Sequence, residues 1–337
     1  MNDKSNQVSV LALNPAVDIS YIIPQLLEYQ KVLAEQTLYH PGGNGINIAR
    51  ALTELDVPAH CCSVIAGESG DLLLKLLADI LDDRHTWFRV DGETRINTTI
   101  MQQNPPGLFE ITSFGPEIRG DVVKDVCDCM LEHTGTGIGV VSGLIPPSVP
   151  ETTYAEVIQG INDQGGKAVV DARPNVLTHA IEAKPWMVRV NRHRLERLMN
   201  QVLDNVGDVA DAARWIQQQG IEYVCITLGD NGAVLIDSDN SYHGDAPRIH
   251  KQSTVGCGDS TITGRTTEVT ASVERGFFDD PFEVTLATRD PDATVWYTTD
   301  GTAPSPEHGE VFSQPITVST TTTLRAVSYA EGSLPGE

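Results

Sequence analysis

The chain predicts an α/β protein with a central, mainly parallel sheet, helices on both faces and a small β lid, followed by a C-terminal all-β domain. Three observations predict it. Short apolar runs alternate with amphipathic stretches from residue 8 to about 236. Two β-like segments, 17–40 and 94–115, interrupt that alternation. Beyond residue 264 the helical pattern stops, and Thr, Val and Phe dominate between turn signals.

Each element has its own signature. "VSVLAL" (8–13) is a short apolar run that suits a buried strand. "GNGINIARALTELD" (43–56) puts Ile46, Ile48, Ala49, Leu52 and Leu55 largely on one helical face. "AHCCSVI" (59–65) is a strand, and "SGDLLLKLLADIL" (69–81) a helix with Ser69 as its N-cap and Asp71 in the positive first turn. "GIGVVSG" is a strand, 150–164 a helix, "KAVVDA" a strand, and "WMVRVN" a strand that runs into a helix from Asn191. "DVADAARWIQQQ" (208–219) is amphipathic and stops at Gly220; "EYVCITLG" and "GAVLID" close the series. Such alternation predicts a parallel sheet covered on both faces. The interruptions "VDISYIIP…TLYH" and "TRINTTIMQQNPPGLFEITSFG" predict short antiparallel strands in a side sheet or lid. "FEVTLAT", "ATVWYTTD" and "ITVSTTTTLRAVSY", separated by "RDPD", "DGTAPSPEHG" and "SQP", predict a small all-β sandwich. Trp296 and Tyr297 alternate there, so one of them at most faces outward.

The 337 residues carry 46 acidic against 23 basic side chains, a net charge of -23. That balance excludes a nucleic-acid partner, which needs a basic footprint, but not a small phosphorylated ligand. No apolar run has the length of a membrane span. "MNDKSNQ" lacks the apolar stretch of a signal peptide, and the expected compartment is the cytoplasm. Cys61, Cys62, Cys127, Cys129, Cys225 and Cys257 show no C-x-x-C pair and are expected as free thiols.

Two glycine-rich loops carry chemistry. In "TVGCGDS" (254–260), Gly256 and Gly258 let successive N–H groups converge on one spot, and a helix opening there adds its positive end. That geometry suits the charge of a transferred phosphoryl group, and Asp259 beside it could accept a hydroxyl proton. In "HPGGNGINIA" (40–49), the backbone with Asn44 and Asn47 suits a polyol; the spacing is neither Walker A nor Rossmann.

Taken in order, "NPAVD", "PGGNGINIARAL", "TRIN", "SGLIPPSVP", "VVDA", "VRVN", "ITLGDNGA" and "QSTVGCGDS" resemble the phosphofructokinase-B group of ribokinase-like sugar kinases over roughly residues 8–264. That group includes the minor 6-phosphofructokinase, 1-phosphofructokinase and tagatose-6-phosphate kinase. The resemblance implies a ribokinase-like fold in residues 1–264 and ATP-dependent phosphorylation of a ketohexose phosphate, with Mg²⁺. Asp18, Gly43, Asn44, Asn47, Ser142 and Gly143 are then expected at the sugar hydroxyls, and Arg95 and Asn97 at the phosphate the sugar already carries. Lys31 matches a lid lysine that reaches the substrate of a neighbouring subunit, which implies a homodimer through the lid. Asn191, Thr227, Gly229 and Gly232 resemble nucleotide-phosphate contacts. Gly256, Cys257 and Gly258 form the expected anion hole, with Asp259 as the base.

The departures are specific. Asn44 stands where many relatives have Lys, "VRVN" replaces "KPN", and "DARP" replaces the D-S/T-S-G turn. Arg194 occupies the position of a glutamate that helps organise Mg²⁺, and a cation there repels the metal unless Glu196 compensates. The family's long helix after G-x-G-D gives way to "STITGRTTEVTAS", a poor helix former. Residues 265–337, through "VWYTTDGTAPS" and "TTTLRAVSY", resemble the chitobiase/β-hexosaminidase C-terminal domain, an immunoglobulin-like sandwich. Two functional readings follow: an active sugar-phosphate kinase, or a catalytically impaired kinase core joined to a carbohydrate-associated or interaction β-module.

Overall fold

Neighbouring residues of the first strand feed two different cores. In β1 (Val8–Ala12), Leu11 packs on one side of the sheet, while Val10 and Ala12 pack on the other. A computed structural model describes residues 8–246 except 56 and 82, and further on 269–272, 282–288, 293–300, 302, 304–305, 308–319, 322 and 324–329. The chain divides into two compact units, Met1–Ile262 and Thr263–Glu337.

In the first unit β1 is followed by β2 (Ala16–Ile23), β3 (Gln36–Gly42), α1 (Asn44–Glu54), β4 (Ala59–Ala66), α2 (Gly67–Leu81), β5 (His85–Val90), β6 (Arg95–Gln102) and β7 (Gly107–Ile111). Then come α3 (Gly120–Thr134), β8 (Ile138–Ser142), α4 (Thr153–Asp163), β9 (Lys167–Asp171), α5 (Pro174–Glu182), β10 (Met187–Asn191) and α6 (Arg192–Met199). The series ends with α7 (Val206–Gln217), β11 (Tyr223–Thr227), β12 (Ala233–Ile236) and β13 (Ser241–Gly244). The main sheet has the order β13-β12-β11-β10-β9-β8-β1-β4-β5. Its pairs are parallel from β5 to β11, and β12 and β13 add an antiparallel edge.

Helices α1 and α2 cover one face, burying Ile46, Ile48, Leu52, Leu73 and Leu77. Helices α3 to α7 cover the other, with Val126, Met130, Tyr154, Ile158, Leu177, Leu195 and Ile216. Each such Ile or Leu stabilises the fold by about 1.5–3 kcal/mol relative to exposure. Strand order reverses direction between β8 and β1, so chain ends there splay apart and leave a crevice at the carboxyl ends of the strands.

The predicted interruptions are β2, β3, β6 and β7, which form a separate four-stranded sheet of order β3-β2-β6-β7. The β2–β3 and β6–β7 pairs are antiparallel as expected, but β2 pairs β6 in parallel. Two whole elements of the main sheet and two helices separate β2 from β6, which gives the chain length a parallel return requires.

The start of α2 also corrects the sequence reading. The helix begins at Gly67, so Ser69 lies inside it and is not the N-cap. The carboxylate of Glu93 accepts from the N–H groups of Glu68 (3.3 Å) and Ser69 (3.0 Å), supplying the cap from the far end of β5. Asp71 is half-exposed and pairs with Arg89. Helices α3 and α5 and strands β5 and β13 have no separate signal in the sequence patterns above.

The second unit is built, among its described residues, from short antiparallel strands. These are β14 (Val269–Ala271), β15 (Phe282–Val284), β16 (Leu286–Thr288), β17 (Thr294–Thr298), β18 (Glu310–Val311), β19 (Ile316–Val318) and β20 (Arg325–Tyr329). They pair as β14-β16, β15-β19 and β18-β17-β20. Val284, Leu286, Val295 and Ile316 form its core. Tyr297 packs against that core and donates its hydroxyl to Glu310 at 2.8 Å, while Trp296, one residue away, points to the opposite face of β17.

Candidate active site

The first cluster is built by strand register. Asp18 on β2 has Asn97 on β6 and His40 on β3 as its lateral partners, so all three side chains share one face of the small sheet. Asn97 Nδ2 donates to Asp18 Oδ1 at 2.8 Å. Arg95, two residues before Asn97, shares that face; it is 4% exposed and donates from Nε to the Asn14 carbonyl at 3.1 Å. Burial holds the Asp18 carboxyl above the usual carboxylate range, against the opposing pull of the Asn97 hydrogen bond and the charges of Arg95, His40 and Arg50. Burial likewise lowers the Arg95 guanidinium; Asp18 opposes this, and the nearby charge of Arg173 adds to it.

Glycines bring the backbone against this cluster. A Cβ at Gly42 would stand 2.1 Å from Asp18 Oδ2, so any side chain there displaces the carboxylate. Gly43 caps α1 at φ 93°, a backbone conformation that costs glycine nothing, and a Cβ there would meet the Asn14 carbonyl at 3.1 Å. Arg50 NH1 donates to the Pro41 carbonyl at 3.1 Å and ties α1 to the end of β3. Asn44 and Asn47 sit three apart in the first turn of α1. Gly143, at the end of β8, lies so close to Asn44 that a Cβ would approach the Asn44 Cβ to 3.1 Å. Ser142, beside it, is 3% exposed.

Thus the structure brings Asp18, Gly43, Asn44, Arg95, Asn97 and Gly143 into one contiguous region, with Asn47 and Ser142 adjoining it. Three polar atoms there, Asn14 Oδ1, Asn97 Oδ1 and Ser142 Oγ, are buried with no hydrogen-bond partner among the described residues. Each unpaired buried group costs about 1–3 kcal/mol. A ligand rich in hydroxyl groups offsets that cost by pairing with them. Lys31 is exposed on the loop joining β2 and β3.

The second cluster lies further along the carboxyl edge of the main sheet. Asn191 ends β10, Thr227 ends β11, and the two are lateral partners. Asn191 Oδ1 accepts from the Arg194 N–H at 2.8 Å and caps α6. Gly229 and Gly232 bracket a short 3-10 turn after β11 at φ 64° and 79°. At Gly232 a Cβ would meet the Gly244 carbonyl at 1.8 Å, so the close approach of β13 requires glycine.

Arg194 finds a partner that the sequence did not foretell. Its guanidinium pairs with Asp171 Oδ1, and Arg189 holds Oδ2 at 2.6 Å. Asp171 is fully buried, and Arg189 also donates to Thr227 Oγ1 at 2.9 Å. Two cations around one carboxylate leave a net positive charge under the Asn191–Thr227 edge. Glu196 turns elsewhere: its Oε1 accepts from Arg192 Nε at 3.0 Å and from the Leu203 N–H at 3.3 Å. Through Oε1 it therefore closes the end of α6. Sequence reasoning also passed over Arg173, Asn14 and Asp171, although "DARP", "NPAVD" and "VVDA" flagged their segments. Gly256, Cys257, Gly258 and Asp259 lie outside the described residues.

Comparison with known proteins agrees with this layout. Residues 11–274 match the pfkB family of carbohydrate kinases, and 273–336 match the chitobiase/beta-hexosaminidase C-terminal domain. The chain is 28% identical to 1-phosphofructokinase of Escherichia coli (strain K12) over 264 residues, covering 77% of this chain and 83% of that protein. It is 30% identical to ATP-dependent 6-phosphofructokinase isozyme 2 of the same strain over 262 residues, covering 77% and 84%. A crystal structure of phosphofructokinase-2 from Escherichia coli in complex with substrates and products superposes with a TM-score of 0.72, at 29% identity, covering 77% and 84%.

Proposed function

The chain belongs to the pfkB family of carbohydrate kinases, and on that premise we propose that it transfers the γ-phosphoryl group of ATP to a hydroxyl of a phosphorylated ketohexose. Candidate acceptors are fructose 6-phosphate, fructose 1-phosphate and tagatose 6-phosphate. The observation that carries this reading is the Asp18–Asn97–Arg95 face, which sets a hydroxyl-binding carboxylate two strand positions from a buried guanidinium. Arg95 recognises the existing phosphate by planar, charge-assisted hydrogen bonds, with the Arg173 charge close by. Asn97, Asn14 and Ser142 pair with sugar hydroxyls and are satisfied by them. Positioning supplies most of the catalysis in phosphoryl transfer.

In this reading Asn191, Thr227, Gly229 and Gly232 flank the nucleotide phosphates at the strand ends. Asp259 accepts the proton of the attacking hydroxyl, and the N–H groups of Gly256, Cys257 and Gly258 receive the developing charge. Mg²⁺ enters as the chelate of its nucleotide substrate. A resident divalent ion needs free oxygen ligands; Asp171 offers none, because Arg189 and Arg194 hold both of its oxygens, whereas on Glu196 the contacts of Arg192 and Leu203 fall on Oε1. No step depends on a protein-held metal.

A second copy of the chain covers the lid in the same proposal. Tyr39, Ile96, Phe109 and Ile111 are 40–58% exposed, and strand register puts them on the face opposite Asp18 and Asn97. An apolar patch of that kind marks an interaction surface, and it brings the Lys31 loop of one copy near its neighbour. A structure of a tetrameric inhibited form exists for phosphofructokinase-2 from Escherichia coli. The nucleotide, the sugar phosphate and the thiols of Cys61, Cys62 and Cys225 fit a reducing cytoplasm.

The arginine pairs at Asp171 also favour a second reading, a sugar-phosphate binder with impaired turnover. Calorimetry separates the two: binding of both ATP and sugar phosphate supports the kinase, and sugar phosphate without ATP supports the impaired core.

A further inference from the structure

We propose that His60, Cys62, Cys129 and His133 form a structural site for a borderline-soft divalent metal, zinc by its chemistry, that fastens α3 to β4. Strand period places His60 and Cys62 on one face of β4, and helix period places Cys129 and His133 one turn apart on the facing side of α3. One donor atom from each of the four side chains lies within 4.8 Å of all the others. Cys62 Sγ is 3.1 Å from Cys129 Sγ. The imidazoles of His60 and His133 stack with centroids 3.6 Å apart and planes 10° apart. Tetrahedral zinc with bonds near 2.0–2.3 Å has ligand–ligand edges of about 3.3–3.8 Å, so small side-chain rotations bring the donors to it.

The donor set selects the metal. Two thiolates and two imidazoles in a compact group suit zinc and not magnesium or calcium, which take oxygen ligands. Four protein ligands leave no open coordination position, so the site is structural. Outer partners orient the rings: His60 Nε2 is 2.9 Å from Thr86 Oγ1 on β5, and His133 Nδ1 is 2.8 Å from the Cys129 carbonyl. Cys62 is buried while the other three are half-buried, so an ion can enter from solvent. On binding, two S–H bonds break, two metal–sulfur bonds form, and two protons pass to solvent. The site lies at the first residues of β4 and the last turn of α3, the sheet end opposite Ser142, Asn191 and Thr227.

The test is metal content and cobalt spectroscopy on the full chain, purified under reducing conditions without chelator. About one zinc per chain is expected, as is a thiolate-to-cobalt charge-transfer band when Co²⁺ replaces it. Cys129→Ser and His133→Gln each lose most of the metal while keeping native circular dichroism. The proposal is overturned by a folded wild-type chain that takes up neither zinc nor cobalt, or by variants that retain the metal in full. A Cys62–Cys129 disulfide found by peptide mapping of the metal-free native chain overturns it as well. The cobalt spectrum needs no variant, so a poorly folding substitution leaves the test intact.

Discussion

Asn97 donates from Nδ2 to Oδ1 of Asp18 across the parallel β2–β6 pair, at 2.8 Å. The hydrogen bond fixes which Asp18 oxygen remains available, and the missing Cβ of Gly42 leaves room for it. A one-residue slip of β6 would send Asn97 and Arg95 to the apolar face of the lid. Asn97→Ala should therefore raise the KM for the sugar phosphate several-fold and change kcat less. Steady-state kinetics with each substrate varied checks this; an effect confined to the KM for ATP would contradict it.

Asp18 links function to stability with a definite sign. Its folded pKa is raised by burial, so its ionised form costs stability once pH rises through the folded pKa, and that cost is absent below the unfolded value. Asp18→Asn should raise Tm at neutral pH, with the gain fading as pH falls through the folded pKa of Asp18. The same change should weaken sugar-phosphate binding. Thermal melts of both proteins across pH 3–8, a window chosen about the usual Asp pKa of ~3.9, test it; a loss of Tm at neutral pH would count against the account.

Arg95 is buried and gives planar recognition, so Arg95→Lys is not a conservative change. It should lower kcat/KM for a phosphorylated ketose by about ten- to a hundredfold, as expected for a lost charge-assisted bond of ~1.5–3 kcal/mol. An equal loss with the unphosphorylated sugar would show that Arg95 does not read the phosphate.

Asp171 is the buried anion between Arg189 and Arg194. Asp171→Asn leaves two guanidinium groups facing each other without a counter-charge and should destabilise the fold by about 3–5 kcal/mol. Urea unfolding with an unchanged m-value measures it. A loss under 1 kcal/mol, within the range of ordinary surface substitutions, would mean that solvent neutralises the pair.

Much of this was legible in the chain, and the limits have physical causes. Strands such as "VSVLAL" and helices such as 43–56 announce themselves because burial imposes a period, and the loop before α1 stands out through Gly42 and Gly43, where a Cβ would meet Asp18 and the Asn14 carbonyl. Tertiary partners were not legible. Glu93 caps α2 from 24 residues beyond Ser69, so the local Ser69 signal pointed to the wrong start. Arg194 looked like a charge aimed at a metal, but only the sheet order, which sets Asp171 on β9 beside Arg189 on β10, shows the buried anion that it pairs with. Cys62 and Cys129 have no motif spacing because their partnership spans a strand and a helix; H-x-C and C-x-x-x-H were the available signals, each tied to its own period.

The central claim is phosphoryl transfer to a ketose phosphate with Asp259 as the base. Its most direct measurement is ADP release by the purified, folded chain with fructose 6-phosphate, fructose 1-phosphate and tagatose 6-phosphate, beside Asp259→Asn. The account predicts turnover with at least one of these sugars and a fall of about 10²–10⁴-fold in the variant, with sugar-phosphate binding retained. No turnover with any of the three, or an unchanged rate in Asp259→Asn, would contradict it.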